Sequence, residues 1–244
     1  MGLAHDSWAM YYDFVYENTY ENTYGQSYNE FTENTLNTIV DILPNGKIID
    51  LGAGTGRITI PLAQMGYEVI AIEKSQPMAS IIEQKKKSNM SLEIHINSIA
   101  DCEDGDVDMV ICLFKVLCYT ITENELKNII VSIRNTLKSN GYFFFDLPNK
   151  DFFCKPKFIH TEDFERTVTL SKQEHDDDVY LYHEVCKGYM NNVAFEYSDK
   201  FFIKYWDIEF FEKMLKEEGF IKIHKEFPQF SKTSSHYQLY KIIK

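Results

Sequence analysis

Short apolar segments alternate with longer amphipathic ones between Lys47 and Pro148. Five apolar segments are rich in β-branched or aromatic residues, namely KIIDL (47–51), YEVIAIE (67–73), LEIHI (92–96), VDMVICLF (107–114) and YFFFDL (142–147). Strand-like segments separated by helix-length segments are typical of a parallel sheet covered by helices. The pattern therefore predicts five parallel strands.

The amphipathic segments carry signals of helix ends. RITIPLAQM stops at Gly66, and SQPMASIIEQKKK has a proline close to its start; glycine and proline often occupy these positions at helix ends. In TENELKNIIVSIRNTLK, Thr122 and Glu125 have the spacing of a capping box, and we expect Gly141 to close that helix. These signals predict three helices between the strands.

The pattern changes after Pro148. Residues 164–206 predict three antiparallel strands, FERTVTLSKQ, VYLYHEVCKGY and VAFEYSDKFFIKYW, divided by polar turns at 175–178 and 190–192. A helical segment, WDIEFFEKMLKEEGF, and two further strands, FIKIHKEF and HYQLYKIIK, follow. No Gly/Ser/Pro-rich linker divides these pieces. We therefore predict one α/β domain, a Rossmann-like doubly wound sheet of seven strands whose last hairpin is antiparallel, with an added small antiparallel sheet.

Composition and charge narrow the range of partners. The 244-residue chain is 44% hydrophobic, which can fill a sizeable core, and its formal net charge is −12. Nucleic acids and anionic membranes attract Lys and Arg, so this charge disfavours both and favours a small-molecule partner. The densest basic run, 85–87, lies at the end of a predicted helix, where we expect a solvated face.

Cysteine usage and the N-terminal residues bear on location. The five cysteines form no C-x-x-C pair and lie mostly in apolar or aromatic surroundings, which is typical of reduced thiols. No run of about 18 apolar residues is present to span a bilayer, and MGLAHDSW lacks the regions of a signal peptide. We therefore expect a cytoplasmic protein without a membrane partner.

A glycine-rich loop is the most informative segment of the chain. In IIDLGAGTGRITI an apolar strand leads into Gly52, Gly54 and Gly56, and a helical pattern follows at once. Glycines at this position let a ligand approach the backbone, because no Cβ intervenes. The next strand ends in Glu73, where a carboxylate can accept hydrogen bonds from both ribose hydroxyls. Together these features predict a nucleoside-containing ligand; the G-x-G-x-G spacing disfavours a dinucleotide without eliminating it.

D-L-G-A-G-T-G at 50–56, Glu73 at the end of the second strand and the trailing pair of strands resemble the class I S-adenosylmethionine-dependent methyltransferases. The resemblance implies S-adenosylmethionine as cofactor and S-adenosylhomocysteine as product. In such enzymes the glycine loop passes the methionine part of the cofactor, the acid binds the ribose, and the loop after the third strand caps the adenine. The cofactor-binding residues implied here are Tyr12, Tyr28, Gly52, Ala53, Gly54, Gly56, Glu73, Lys74, Ser98, Ile99 and Leu113.

The loop after the third strand departs from the family pattern. Many relatives carry Asp where Ser98 falls, and Asp101 follows three residues later. The resemblance places Ser98 and Ile99 beside the adenine, and either Ser98 or Asp101 could reach its amino group. Both alternatives stay open at the level of sequence.

A closer likeness concerns the small-molecule N-methyltransferases, especially nucleotide-sugar N,N-dimethyltransferases and glycine N-methyltransferase-like proteins. It rests on YD at 12–13, GQSY at 25–28 and CLFKVLCYT at 112–120, where relatives often read like L-F-S-S-I-G-Y. Lys115 and Cys118 differ from this motif at the expected entrance of the substrate site. The motif therefore does not identify the substrate, whereas the implied cofactor is unaffected. The likeness implies a helical lid at 1–40, a cofactor-binding core at 41–150, an antiparallel substrate-side cover at 151–206, and a final helix with two strands at 207–244.

Tyrosines recur at every fourth position near the N-terminus, at 12, 16, 20, 24 and 28. On a helix this spacing places the rings on one face. In relatives the N-terminal segment folds over the cofactor, and tyrosines matching Tyr12 and Tyr28 hydrogen-bond its methionine carboxylate. We expect the other three tyrosines to serve packing or to face solvent.

The chemistry of methyl transfer requires little of the protein beyond positioning. The displacement needs an uncharged nucleophile held against the methyl carbon and shielded from water, so a general base is optional. Candidate substrate-binding residues are Lys115, Tyr119 and Asp146, and the histidines available as bases are His160, His183 and His236. None stands out, and the catalytic residues stay unassigned. No His/Cys/Asp cluster has metal-ligand spacing, so we expect no metal.

The sequence thus predicts an S-adenosylmethionine-dependent methyltransferase that acts on a small molecule with an amine or hydroxyl acceptor. The alternatives are a non-catalytic S-adenosylmethionine-binding protein or partner subunit, favoured if no pocket opens under the small sheet, and an NAD-type oxidoreductase, disfavoured by the loop spacing. We expect no nucleic-acid partner, and a homodimer stays open.

Overall fold

The computed structural model describes residues 3–101, 105–154, 157–161, 164–174 and 176–244. Cys102 and His175, which belong to features discussed above, lie outside the described residues. The strands are β1 Lys47–Leu51, β2 Glu68–Ile72, β3 Leu92–His95, β4 Val107–Cys112, β5 Leu137–Pro148, β6 Lys157–His160, β7 Phe164–Gln173, β8 Asp176–Met190, β9 Val193–Lys204, β10 Phe220–Ile223 and β11 Ser235–Ile242. The α-helices are α1 Tyr12–Tyr24, α2 Tyr28–Ile42, α3 Thr59–Gln64, α4 Gln76–Lys85, α5 Glu123–Thr136, α6 Lys150–Cys154 and α7 Ile208–Glu217.

The main sheet has seven strands in the order β10-β11-β5-β4-β1-β2-β3. β1 to β5 run parallel, whereas β11 pairs antiparallel with both β5 and β10. This confirms the predicted α/β class, the seven strands and the antiparallel final hairpin. The strand order reverses between β1 and β4, and ligands of open α/β sheets bind beyond the carboxyl ends of strands at such a point.

The main sheet is buried on both faces, because its strands are apolar at successive positions. Ile48 and Phe144 lie in the core cluster below α1, α2 and α3, whereas Ile49, Phe143 and Phe145 lie in the cluster below α5 and α7; all five side chains are fully buried. Continuous apolar runs are what a sheet with helices on both faces requires. The two clusters hold the carboxyl ends of β1 and β4 in fixed positions.

A second, separate sheet has four antiparallel strands in the order β6-β7-β8-β9. The sequence predicted the last three. The strand β6 was missed because it has only four residues, and Phe158 within it is exposed, so no alternating apolar pattern marks it. This sheet packs against the N-terminal segment: the Trp8 ring stacks on Tyr197 at a centroid distance of 4.5 Å, and Tyr11 stacks on Phe195 at 4.6 Å.

One predicted helix end differs from the structure. Helix α5 ends at Thr136 and not at Gly141, because β5 begins at Leu137 and accommodates the exposed residues 138–140 as an irregularity in its pairing with β4. The tyrosine repeat is divided between two helices, α1 and α2. Gly25 adopts φ 65° and ends α1, and Ser27 caps α2 by accepting a hydrogen bond from the Glu30 N–H.

Within the part of the chain that the structure describes, we find no helix with the length and apolar character to cross a membrane.

Candidate functional site

Three adjoining cavities lie beyond the carboxyl ends of β1, β2 and β4. The large cavity has a volume of about 270 Å³ and shares Phe114 with two smaller ones of about 40 Å³ each. We call the first small cavity, between the glycine loop and α2, the loop cavity. We call the second the cationic cavity, because Lys115, Lys157 and Arg166 line it. The sequence predicted a site at this edge of the sheet but gave no sign that it consists of three adjoining cavities.

The glycine loop leaves β1 with left-handed backbone at Gly52, φ 74°, and Gly54, φ 59°. A Cβ on Gly52 would lie 2.6 Å from two methyl carbons of Val116, so packing requires glycine there. A Cβ on Gly54 would meet no atom within 4 Å, and this glycine lines both the large and the loop cavity. The backbone at Gly54 is therefore open to a ligand, whereas Gly56 lines none of the three cavities.

Glu73 follows β2 directly and lies beside the glycine loop. Its Oε2 accepts a hydrogen bond from the Gly54 N–H at 2.7 Å, and its Oε1 accepts one from the Ser75 N–H at 2.8 Å. Burial raises the pKa of Glu73, and these N–H donors counteract part of that rise. A carboxylate can accept about four hydrogen bonds, so Glu73 retains acceptor capacity for hydroxyl donors in the large cavity.

Most of the predicted cofactor-binding residues come together around the large cavity. Those that line it are Tyr12, Gly52, Gly54, Glu73, Lys74, Ser98, Ile99 and Leu113, and the predicted substrate residue Tyr119 joins them. Asp101 lines none of the three cavities, so of the two open alternatives only Ser98 lines the large cavity. The sequence missed Met78 and Phe202, whose apolar side chains also line the large cavity.

The loop cavity contains Tyr28 and Ala53, both predicted, together with Arg57, which was not. The Arg57 guanidinium lies 5.1 Å from the Tyr28 ring centroid and 4.9 Å from that of Phe114. The buried Tyr28 hydroxyl has no hydrogen-bond partner among the described residues. A cation and an unsatisfied hydroxyl in one small cavity suit an anionic group. The signal in the sequence was a lone arginine directly after the glycine loop.

Helix α1 is fastened to the glycine loop by Asp13. Its Oδ1 accepts a hydrogen bond from the Thr55 hydroxyl at 2.6 Å, and its Oδ2 pairs with the Lys85 ammonium at 2.7 Å. Lys85 also donates to the Thr55 carbonyl at 2.9 Å. Lys85 is exposed in the last turn of α4, as expected of a solvated face, and it also joins α1, the glycine loop and α4 through these contacts.

His5 and Tyr119 lie where the large and the cationic cavity meet, because both residues line both cavities. The His5 Nε2 and the Tyr119 hydroxyl share a hydrogen bond of 2.8 Å. Burial lowers the pKa of His5 to about 4, although Glu184 and Asp199 oppose the shift, so the imidazole is neutral near neutral pH. Sequence reasoning missed His5, since nothing local to it signals that the small sheet will cover it.

The histidines considered in the sequence lie elsewhere. His160, His183 and His236 line none of the three cavities. The described residues also contain no group of three His, Cys, Asp or Glu side chains placed to hold a metal ion.

The cationic cavity contains a buried ion pair. Arg166 donates from Nε and Nη2 to the two carboxylate oxygens of Glu184, at 2.9 and 3.0 Å. Tyr182 and Tyr197 donate to the same carboxylate at 2.8 and 2.7 Å. Burial would raise the pKa of Glu184, but Arg166 and the hydroxyl donors lower it below its usual value. Glu184 is thus ionised and fully engaged.

Asp146 does not line the cavities, contrary to the predicted contact with substrate. It is fully buried at the end of β5, and its Oδ1 accepts a hydrogen bond from the Lys115 N–H at 3.0 Å. That bond supports two consecutive residues in left-handed backbone, Phe114 at φ 68° and Lys115 at φ 66°. Such a conformation costs a non-glycine residue about 1–3 kcal/mol. Asp146 therefore holds the turn that carries Lys115 into the cationic cavity.

Comparison with known proteins agrees with this geometry. Residues 48–141 match a family model described as a methyltransferase domain. The Bacillus subtilis protein YqeM, which is named as a methyltransferase, is 27% identical over 195 residues, covering 77% of this chain and 78% of its own. The matched domain contains the glycine loop, Glu73 and the turn after β4.

Solved structures share the fold over nearly the whole chain. One is described as an S-adenosylmethionine-dependent methyltransferase from Clostridium acetobutylicum; it has a TM-score of 0.79 at 18% identity and covers 96% of this chain and 100% of its own. Another is CalS10 from Micromonospora echinaspora, an amino pentose methyltransferase solved with S-adenosylmethionine bound, with a TM-score of 0.72 at 16% identity over 93% of this chain and 96% of its own. At sequence identities of 18% and 16%, the similarity concerns the fold alone. The aligned part of the chain includes the small sheet.

Proposed function

We propose that this S-adenosylmethionine-dependent methyltransferase transfers its methyl group to an amine or hydroxyl of a small molecule. The observation that carries the proposal is the meeting of the large cavity with the cationic cavity at His5 and Tyr119. An acceptor held in the cationic cavity would present its nucleophile at that junction, shielded from water by the small sheet and the N-terminal segment.

The residues of the large and the loop cavity fit the cofactor. The open backbone at Gly54 leaves room for the ligand, and Glu73 retains acceptor capacity for the two ribose hydroxyls. Lys74, Met78 and Ile99 would flank the adenine, with Ser98 at its edge.

The loop cavity would take the carboxylate of the cofactor. Arg57 provides the opposite charge and Tyr28 an unsatisfied hydroxyl, while Tyr12 lines the passage between the two cavities. When bound, S-adenosylmethionine supplies an electrophilic methyl group; the protein positions the groups around it.

The acceptor nucleophile must be uncharged when it attacks and must be held against the methyl carbon. His5 is neutral near neutral pH because burial lowers its pKa to about 4. Its hydrogen bond to Tyr119 fixes the ring at the junction. We assign the hydrogen-bonded pair of His5 and Tyr119 as the group that orients the acceptor nucleophile; the proton released after transfer passes to solvent as the product leaves.

A small acceptor is favoured over a macromolecule by two properties. The cationic cavity is enclosed by aromatic side chains from α1, α6 and the small sheet, including Tyr24, Phe152 and Phe201. The net charge of −12 opposes binding of nucleic acid. A cytoplasmic small molecule is the partner we propose, in keeping with the amino pentose acted on by CalS10.

A non-catalytic cofactor binder is disfavoured by the cationic cavity itself. Such a protein needs no second compartment beside its cofactor, whereas here one opens under the small sheet and shares His5, Phe114, Tyr119 and Phe201 with the large cavity.

The test is calorimetric titration of the purified chain with S-adenosylmethionine and S-adenosylhomocysteine, alongside NAD and NADP. We expect the sulfur nucleosides to bind and Glu73→Ala to abolish that binding. Glu68→Ala, at the exposed opposite end of β2, is the matched control and should bind normally. Binding of NAD, or of none of the four, would contradict the proposal. A screen of small amines should then reveal transfer that His5→Gln slows without weakening S-adenosylhomocysteine binding.

A further inference from the structure

The cationic cavity holds more positive than negative charge. Three cations line it, Lys115, Lys157 and Arg166, and the carboxylate of Glu184 is committed to Arg166 through two hydrogen bonds. No carboxylate of a described residue lies within 4.0 Å of the Lys115 or Lys157 ammonium. The buried Lys115 and the half-buried Lys157 therefore face one small space without an anionic partner among the described residues.

Aromatic rings and one hydroxyl partly compensate the two lysines. The Lys157 ammonium lies 4.2 Å from the Phe152 ring centroid and 3.1 Å from the Tyr24 hydroxyl. The Lys115 ammonium lies 5.0 Å from the Tyr24 centroid and 5.3 Å from that of Phe152. Cation–π contacts compensate only part of the cost of removing an ion from water. An anion bound between the two lysines would compensate the rest of this desolvation cost.

The volume of the cavity limits the size of that anion. About 40 Å³ accommodates roughly three water-sized groups at about 15 Å³ each. A carboxylate has three heavy atoms and fits, whereas a phosphate group has five. The rest of the ligand would extend towards His5 and Tyr119, because the cationic cavity joins the large cavity there.

We propose that Lys115 and Lys157 bind a carboxylate group of the substrate, so that the methyl acceptor is a small carboxylic acid whose amine or hydroxyl reaches the His5–Tyr119 junction. This proposal rests on the proposed function and names the substrate class of the same site. The proposal also explains why this chain has a lysine at position 115, where the sequences of relatives usually differ. The left-handed turn held by Asp146 serves to bring Lys115 into this cavity.

The ionisation of Tyr24 agrees with the excess of positive charge. Burial alone would raise its pKa, yet Lys115 and Lys157 lower the pKa of Tyr24 to about 8. The titratable and charged groups that face its hydroxyl are Lys115, Lys157, Arg166, Tyr16 and Tyr20. A phenolate at Tyr24 would compete with a ligand carboxylate for the same two ammonium groups. Carboxylate binding should therefore weaken as pH rises through the pKa of Tyr24.

The experiment uses benzoate as the probe, with benzamide as its uncharged analogue and phenyl phosphate as the larger anion. Each is titrated calorimetrically into the purified chain saturated with S-adenosylhomocysteine. We expect benzoate to bind at least about tenfold more tightly than the other two, since a hydrogen bond to a charged group contributes at least that factor. Lys115→Met and Lys157→Met should each remove that preference. Lys172→Met, exposed on the same small sheet, should keep it.

Several outcomes would overturn the proposal. Equal affinity for benzoate and benzamide in the wild-type chain would do so without any variant, and so would tighter binding of phenyl phosphate. If the lysine variants fail to fold, Lys157→Arg serves instead: burial lowers the pKa of Lys157, whereas arginine stays charged, so this variant should lose less benzoate affinity than the wild type as pH rises. The S-adenosylhomocysteine affinity is measured in parallel: its absence sinks the proposed function, whereas its presence without benzoate binding sinks only the carboxylate site.

Discussion

At the scale of single residues, a comparison of Gly54 with Gly66 distinguishes an effect on folding stability from an effect on ligand binding. Both Gly54 and Gly66 have positive φ, at 59° and 96°, and a Cβ on either would meet no atom within 4 Å. Alanine at either position should therefore cost about 1 kcal/mol of stability through backbone strain alone. Of these two glycines, only Gly54 lines the large cavity and the loop cavity. We predict that Gly54→Ala weakens S-adenosylhomocysteine binding at least tenfold by calorimetry, whereas Gly66→Ala leaves it unchanged.

His5 should make stability depend on pH. Burial lowers its pKa from 6.5 to about 4 in the folded chain, so between these values the unfolded chain binds the proton and the folded chain does not. The contribution of His5 is complete above pH 6.5 and is lost as pH falls towards about 4. We predict that the free energy of unfolding of the wild type declines relative to His5→Gln across this interval, as measured by urea denaturation. A constant difference would contradict the burial of a neutral imidazole.

At the scale of elements, α1 acts as a cover that Asp13 attaches to the glycine loop and to α4. Removal of these two hydrogen bonds should loosen α1 over the cavities that Tyr12 lines. We predict that Asp13→Ala weakens S-adenosylhomocysteine binding between about three- and tenfold, in line with the loss of about 1 kcal/mol. Glu17→Ala is the matched control: Glu17 is exposed one turn further along α1. An equal effect of both variants would argue against a specific attachment.

The small sheet shows how a second element completes the site. Arg166 on β7 and Glu184 on β8 form the buried pair that holds these strands in register, and Arg166 also donates to the Thr19 hydroxyl of α1 at 3.0 Å. Through these contacts the sheet, α1 and the cationic cavity are positioned together. Substrate selection therefore depends on an element outside the main sheet.

At the scale of the whole molecule, cofactor binding should stabilise the fold, because the large cavity and the loop cavity are formed only when β1, β2, β4 and α1 are in place. A ligand at about 100 times its Kd adds about 2.7 kcal/mol to the free energy of unfolding. For a chain of this size that corresponds to a rise in Tm of about 5–10 °C. We predict this rise with S-adenosylhomocysteine in a thermal melt and none with NAD at the same concentration.

Much of the main sheet and of the nucleoside site could be predicted from the sequence, because the signals are local. Apolar runs of strand length, the glycine spacing and the acid at the end of the next strand each depend on neighbours in the chain. The order of parallel strands then brings Gly54 and Glu73 together, as their 2.7 Å hydrogen bond shows. These features follow from hydrophobic periodicity and from the backbone preferences of glycine, both of which can be recognised in the sequence.

The rest was decided by contacts between residues distant in the chain. His5 pairs with Tyr119 across 114 residues, Lys157 approaches Tyr24 across 133, and Arg166 pairs with Glu184 on the neighbouring strand of the small sheet. Asp146 turns inward to hold the Lys115 N–H, which no local pattern distinguishes from a substrate contact. Sequence by itself determined the fold class and the nucleoside edge of the site. Tertiary structure alone decided the charge and shape of the cationic cavity, because side chains from α1, α6, the turn after β4 and the strands of the small sheet meet there and burial sets their ionisation.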